Sequence, residues 1–346
     1  MKEYFSSKKI LLLFLALCLL GSSIFFIKKL VTVKQKTPPD VPIIKIAAAP
    51  PAVPHLISNI IQKRGLDQKY GFKLEIVGVD PTQTISALNN GTADIAVIGV
   101  LPAVSINYSN KESDLKIFAP ALKLSCPFVA LSSSNIKDIQ NFSGKKIGIP
   151  TKTGATYPLM GTIFRKLNID IDKNYKLVEG QFFALGSMLD SGQVDAITGV
   201  CDEISNGKFI AQGNKYAVGS LEEVSSKAYG PDTSIILSGM AARKLWLEKD
   251  DGKLSSGFIG AFYDSVNYLK SDPQIFDDPE IKSTYKLSDG EVVEVKRFIS
   301  DYNNYSFGDW EKTVESMNVL ISDALKFGYI KGIPDSSIFF IPNSAQ

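Results

Sequence analysis

A short motif that occurs once in each half of the chain constrains the fold more than any other feature. Residues 87–94 read ALNNGTAD and residues 188–195 read MLDSGQVD. In both copies an apolar strand with a terminal glycine follows. Each copy predicts a helix that ends at glycine, a turn with aspartate, and a buried strand that opens onto a glycine loop. We therefore expect two similar α/β lobes with a ligand cleft between them.

The rest of the chain supports the same fold class. Short apolar strands alternate with helical patterns in both halves, which is typical of α/β proteins with mostly parallel sheets. The C-terminal third is predicted to be mainly helical. The chain is expected to cross between lobes near 125–131 and 229–234. Lobe 1 would then comprise residues 43–130 plus 232–346, including the C-terminal helices, and lobe 2 residues 131–231.

The N-terminus carries an apolar run, residues 10–27, between two lysine pairs. The run reaches the length of one membrane span, about 17–25 residues. It predicts an N-terminal membrane helix, an uncleaved signal anchor within residues 1–30, with a cleaved signal peptide as the second interpretation. Lipidation at Cys18 stays open. Residues 31–42 contain three prolines and predict an extended linker. The protein would be periplasmic or extracytoplasmic, tethered to the inner membrane by residues 10–27.

Composition excludes several classes of function. The 346 residues are 45% hydrophobic and 21% charged, unlike a disordered chain. The basic residues are enriched in residues 1–36, so the remainder is acidic and has no electrostatic footprint for nucleic acid. One His and three Cys argue against a His-rich metal site and a disulfide framework. We expect no cofactor and no metal, and Cys126 and Cys201 are predicted to be buried free thiols.

Four segments together resemble a known family. They read GLDQKYGFKLEIV at 65–77, ALNNGTADIA at 87–96, FSGKKIG at 142–148 and GQVDA at 192–196. In this order they resemble the periplasmic substrate-binding proteins of ABC importers, and most of all the nitrate/sulfonate/taurine and thiamine-pyrimidine-precursor binders. The resemblance spans residues 43–245. It implies a type II periplasmic binding fold, a small-molecule ligand, and an ABC permease with its ATPase as partners.

Candidate ligand contacts lie in four loops that follow strands, 50–55, 99–103, 151–157 and 199–202, because open α/β sheets bind ligands beyond the carboxyl ends of their strands. The loop at 151–157 precedes a helix and favours an anion, although a plain threonine N-cap is the alternative. Lys152 agrees with an anion, whereas Asp202 favours a cationic group, and this conflict stays open. The candidates are Pro51, His55, Gly99, Val100, Leu101, Thr151, Thr153, Gly154, Thr156, Tyr157, Gly199, Cys201, Asp202 and Tyr229.

The predicted function is solute capture without catalysis. The protein would bind a small anionic organic solute, such as a sulfonate, by hinge closure and deliver it to a permease. The alternative is a membrane-tethered sensor, or an enzyme-like member related to thiamine pyrimidine precursor proteins. The single His argues against an iron site of that branch. The sequence has neither the nucleophile elbow G-x-S-x-G nor a phosphate loop of the type G-x-x-x-x-G-K-[ST].

Overall fold

The computed structural model describes residues 41–48, 50, 52–79, 83–301 and 309–341. The predicted anchor, Cys18, nearly all of the linker and Pro51 lie outside these residues. Within the described ranges no helix has the length and apolarity needed to cross a membrane. The strands and helices belong to the second of two units, Pro42–Gln346.

Two five-stranded sheets form the framework. The first has the order β2-β1-β3-β10-β4 and the second β7-β6-β8-β5-β9. In chain order the strands are β1 Ile43–Ala47, β2 Lys73–Val77, β3 Ile95–Gly99, β4 Leu115–Lys123, β5 Pro127–Leu131, β6 Lys146–Ile149, β7 Lys176–Glu179, β8 Ala196–Ile197, β9 Lys215–Ser220 and β10 Ile236–Arg243.

Helices cover both sheets and make up most of the C-terminal third. They are α1 Val53–Lys63, α2 Leu66–Lys69, α3 Thr84–Asn89, α4 Val100–Ser109, α5 Thr156–Lys166, α6 Ile171–Asn174, α7 Leu185–Asp190, α8 Glu203–Ala211, α9 Leu221–Tyr229, α10 Lys244–Leu247, α11 Lys253–Ser271, α12 Pro279–Tyr285, α13 Asp289–Asp301 and α14 Trp310–Lys326.

The α/β class is confirmed, and both sheets are mixed: in each, four of the five strands run in the same direction and one strand, β10 or β5, runs against them. In the first sheet β1 pairs in parallel with β2 and β3, whereas β10 is antiparallel to both β3 and β4. The second sheet has the same division, because β5 is antiparallel to β8 and β9. The antiparallel strands β5 and β10 are those that enter a sheet directly after the chain has crossed from the other one. The alternation of strands and helices in the sequence does not reveal these pairings.

The repeated motif forms the same structure twice. Gly91 and Gly192 take the left-handed conformation after α3 and α7, with φ of 74° and 70°. The carboxylate of Asp94 accepts the Lys45 N–H at 2.8 Å, and the carboxylate of Asp195 accepts the Lys146 N–H at 2.8 Å. In each sheet the aspartate thus fixes the start of the repeated strand against the neighbouring strand, β1 or β6.

Two helices, α8 and α14, pack on helices that lie around the other sheet. Helix α8 follows β8 of the second sheet, yet its Ile204 lies in the core cluster around α1, α11 and α13. Helix α14 packs on α5, where Lys166 and Asp323 form an ion pair at 2.8 Å. The chain beyond α14 then returns to the first sheet, where Phe339 pairs with Ile117.

A disulfide joins Cys126 and Cys201, so the prediction of free thiols is wrong. Cys126 precedes β5, and Cys201 follows β8, the neighbouring strand. Their Cα atoms are 4.2 Å apart. Seventy-five positions separate the two residues in the sequence, so only strand pairing brings them together.

We expect the double substitution Cys126→Ala and Cys201→Ala to lower the free energy of unfolding by about 2–4 kcal/mol, because a cross-link over a long loop restricts the unfolded chain. Urea unfolding of both proteins measures this difference. Mass spectrometry of unreduced peptides provides the control, since the native protein should yield one linked Cys126–Cys201 peptide. A native protein with both thiols free would contradict the prediction.

Candidate functional site

The carboxyl ends of strands from the two sheets meet at one place. Gly99, at the end of β3, lies against Ala155, which follows β6: a Cβ atom added to Gly99 would be 2.4 Å from the Ala155 Cβ. A second contact joins the two sheets: the Val53 N–H at the start of α1 donates to the carboxylate of Asp202, which follows β8, at 2.9 Å. The four predicted loops, at 50–55, 99–103, 151–157 and 199–202, are therefore in contact across the two sheets in two pairs, Gly99 with Ala155 and Val53 with Asp202.

Gly199 adds a further contact, between the loops at 199–202 and 151–157. Gly199 has φ of 87°, and a Cβ atom there would be 2.5 Å from Pro150 and 3.1 Å from the Thr156 Cγ2 atom. Gly199 is therefore needed both for its conformation and for the close approach of the 151–156 segment. The neighbouring Cys201 is fixed in the disulfide.

Asp202 is a buried carboxylate whose two oxygens both have partners. One oxygen accepts the Ser205 N–H at 2.8 Å, which caps α8, and the other accepts the Val53 N–H. Burial raises the pKa of Asp202, and the backbone N–H donors oppose that change. Because both oxygens already accept backbone hydrogen bonds, Asp202 gives little support for a cationic ligand.

His55 lies in the first turn of α1 and is half-buried. Its Nδ1 atom is 2.7 Å from the Tyr285 hydroxyl and 3.1 Å from the Asn59 amide nitrogen. Burial lowers the pKa of His55 below its usual 6.5. The ring is therefore neutral at pH 7, and its Nδ1 side contacts α12 of the protein.

The pKa of His55 predicts a loss of stability in acid. A lowered pKa means that the folded protein disfavours the protonated ring, so this contribution to stability is complete above about pH 6.5 and declines as the pH falls below it. We expect the chain's single imidazole to titrate below 6.5 by NMR. His55→Gln should reduce the difference in unfolding free energy between pH 7.5 and 5.5. A titration above 6.5 would contradict this.

The threonine segment is partly exposed and partly buried. Thr151 and Thr153 are exposed, Gly154 donates its N–H to the Thr151 carbonyl at 2.9 Å, and Thr156 is buried. Helix α5 begins at Thr156 with Ala155 as its N-cap, and no side chain caps it. The alternative of a threonine N-cap is therefore wrong.

Polar side chains next to this segment bind to Asp172 of α6, which belongs to the helices around the second sheet. The Tyr157 hydroxyl donates to Asp172 at 2.8 Å, and the Lys152 ammonium pairs with Asp172 at 3.0 Å. Desolvation and Asp172 raise the pKa of Tyr157. These groups border an open cavity of about 280 Å³, lined by Tyr157, Arg165, Asp170, Asp172, Phe327, Gly328 and Tyr329.

The remaining predicted residues lie in packed regions. Val100 and Leu101 are buried in the core at the start of α4. Tyr229 ends α9 and is half-buried, with the Lys166 ammonium 5.3 Å from its ring centre. Within the described ranges no group of His, Cys, Asp and Glu side chains is arranged to hold a metal ion.

We name the place where the loops of the two sheets meet the junction. Sequence reasoning missed three polar residues there. The Thr198 hydroxyl, the Ser238 hydroxyl and the Asn206 amide oxygen are buried and have no hydrogen-bond partner. Thr198 follows β8, and Ser238 pairs with Gly99 at the same end of the first sheet. Thr198 could have been found, because it directly follows the strand of the repeated motif. Ser238 has no comparable sequence signal.

A family model described as NMT1/THI5 like matches residues 55–274. The chain belongs to this family. No curated protein matches the sequence.

Solved structures place this family member in a periplasmic-binding-protein fold. The ligand-binding component of an ABC-type import system from Staphylococcus aureus superposes with a TM-score of 0.65 at 17% identity, over 87% of this chain and 97% of that one. The periplasmic aliphatic sulphonate binding protein SsuA from Escherichia coli gives 0.62 at 15% identity, over 83% and 92%. The desulfurization enzyme DSZB gives 0.57 at 13%, over 85% and 94%. At identities this low, the superpositions establish the shared fold.

The contact at Gly99 predicts a steric effect without backbone strain. Gly99 has φ of −65° and ψ of 141°, which alanine adopts readily, but the added methyl group would overlap Ala155. We expect Gly99→Ala to separate the two loops and to increase the radius of gyration in small-angle X-ray scattering. Gly78→Ala is the matched control, since a Cβ atom at Gly78 has no neighbour within 4 Å. Equal scattering from the two variants would contradict the assigned contact.

Proposed function

We propose that this family member is an extracytoplasmic solute-binding protein that holds a small organic solute where the two sheets face each other. The observation that carries the proposal is the pair of unpartnered buried hydroxyls, Thr198 on the second sheet and Ser238 on the first. An unpaired buried polar group costs about 1–3 kcal/mol, so a solute that hydrogen-bonds to both would gain that energy.

Closure of the two lobes on the solute supplies the mechanism. A solute that contacts residues of both sheets favours the closed arrangement by its differential affinity for it. Gly99 and Ala155 are in contact in the structure, which holds loops of the two sheets together at this place. The closed protein would then present both lobes, 43–130 plus 232–346 and 131–231, to an ABC permease and its ATPase. An N-terminal segment at residues 10–27 would hold it at the membrane.

An anionic solute such as a sulfonate is the ligand class that we propose. The Asp202 carboxylate accepts two backbone N–H groups, which weakens the argument for a cation. The start of α5 has no capping side chain, and its free N–H groups favour negative charge. The Escherichia coli neighbour is named as a sulphonate binder, which agrees with this choice.

A catalytic role is the second candidate, because one structural neighbour is named a desulfurization enzyme. The two functions differ in a simple observable. A binding protein returns the sulfonate unchanged, whereas a desulfurization enzyme would release its sulfur. We propose binding without catalysis, and chromatography of ethanesulfonate after prolonged incubation with the protein distinguishes the two.

Two substitutions test the site itself. Thr198→Val and Ser238→Ala should each weaken ethanesulfonate or taurine binding about tenfold, measured by calorimetry, because each removes one hydrogen bond. Thermal stability should stay constant or rise, because each also removes an unpartnered buried hydroxyl. The best solute is first selected by thermal shift against sulfonates and amines.

Thr162→Val is the matched control. The Thr162 hydroxyl donates to the Pro158 carbonyl at 2.7 Å, so its loss should lower stability by about 1 kcal/mol and leave solute affinity unchanged. If Thr198→Val and Ser238→Ala behave like this control, the hydroxyls do not bind the solute.

A further inference from the structure

The segment 199–211, which we name the clasp, leaves the second sheet and packs on helices of the first. Ile204 is fully buried in the core cluster that contains α1, α11 and α13. Gly207 lies so close to α13 that an added Cβ atom would be 2.6 Å from the Val295 side chain. The Lys208 ammonium donates to the carbonyls of Tyr285 and Lys286 at 3.2 and 3.1 Å.

One carboxylate within the clasp caps helices on both sides of the junction. Asp202 caps α8 through the Ser205 N–H and also accepts the Val53 N–H of α1. Helix α1 has no cap of its own, because its N-cap is Ala52 and its first turn contains no acidic residue. Asp202 therefore replaces a cap that the local sequence of α1 lacks.

The base of the clasp is fixed to the crossing between the sheets. The Cys126–Cys201 disulfide holds the residue before Asp202 next to the start of β5. The Cys126 carbonyl in turn accepts the Leu221 N–H at 2.9 Å. This anchoring limits the movement of Asp202 relative to the second sheet. Its bond to Val53 would therefore break if the two lobes moved apart.

We propose that Asp202 is a latch that holds the two lobes closed when no solute is bound, through its bond to the Val53 N–H. This positioning role rests on the proposed function in one respect, namely that the solute enters when the lobes open. Access of the solute then requires this bond to break. When the lobes close again on a solute, contacts with the solute compensate for any weakening or loss of the Asp202–Val53 hydrogen bond.

Two substitutions break the bond from opposite sides. Val53→Pro removes the N–H at the first helical position, where proline is well tolerated, and it also replaces the buried Val53 side chain. Ala52 before it has φ of −63° and ψ of 141°, which suits a residue that precedes proline. Asp202→Asn can retain one oxygen for the Ser205 N–H while presenting its amide to Val53. Asparagine is also a good N-cap for α8.

In solute-free protein, each variant should increase the radius of gyration in small-angle X-ray scattering. Each should also accelerate peptide-level hydrogen exchange of segment 151–156 at least tenfold. The double variant should match the single variants, because both changes remove the same bond. Asp309→Asn is the control: Asp309 caps only α14, so scattering and exchange at 151–156 should stay as in the native protein.

Loss of thermal stability in Val53→Pro and Asp202→Asn with native scattering and native exchange would show that Asp202 is only a helix cap. Additive effects in the double variant would likewise overturn the latch. If Val53→Pro does not fold, Asp202→Asn alone decides between these outcomes. All readouts use solute-free protein, so they stand whether or not any sulfonate binds.

Discussion

The contact between Gly99 and Ala155 is the constraint on which the rest of the site depends. These residues lie at the ends of β3 and on the segment after β6, so their contact brings the carboxyl ends of two sheets face to face. Only a residue without a side chain allows this separation. Once the two ends meet, the loops after β1, β3, β6 and β8 become neighbours, and the dipoles of the helices that follow them converge.

Polar groups at this junction fall into two kinds. Asp202 has its hydrogen bonds completed by the protein itself, and it connects α1 with α8. The hydroxyls of Thr198 and Ser238 are buried without partners. In our proposals the first kind holds the two lobes together, and the second kind binds the solute. A buried polar group that the fold leaves unsatisfied indicates a function more directly than one that the fold already uses.

The repeated motif predicted much of the fold because its residues act locally. Gly91 and Gly192 end helices, and Asp94 and Asp195 bond to the adjacent strand, so each copy requires only its own sheet. The four predicted loops likewise meet, through the contacts Gly99–Ala155, Val53–Asp202 and Gly199–Thr156. The antiparallel strands β5 and β10, the Cys126–Cys201 disulfide and the role of Ser238 were not predicted. Each depends on a pairing between distant segments, and no local pattern encodes that pairing.

The sequence by itself determined the α/β class, the family and the loops that surround the candidate site, because strand periodicity, glycine turns and helix starts are properties of neighbouring residues. Only the tertiary structure decided which buried groups have partners. Whether a hydroxyl such as that of Thr198 is satisfied depends on atoms supplied by other parts of the chain. The same reason explains why Asp202, which the sequence presents as a possible ligand contact, caps a helix 149 positions away.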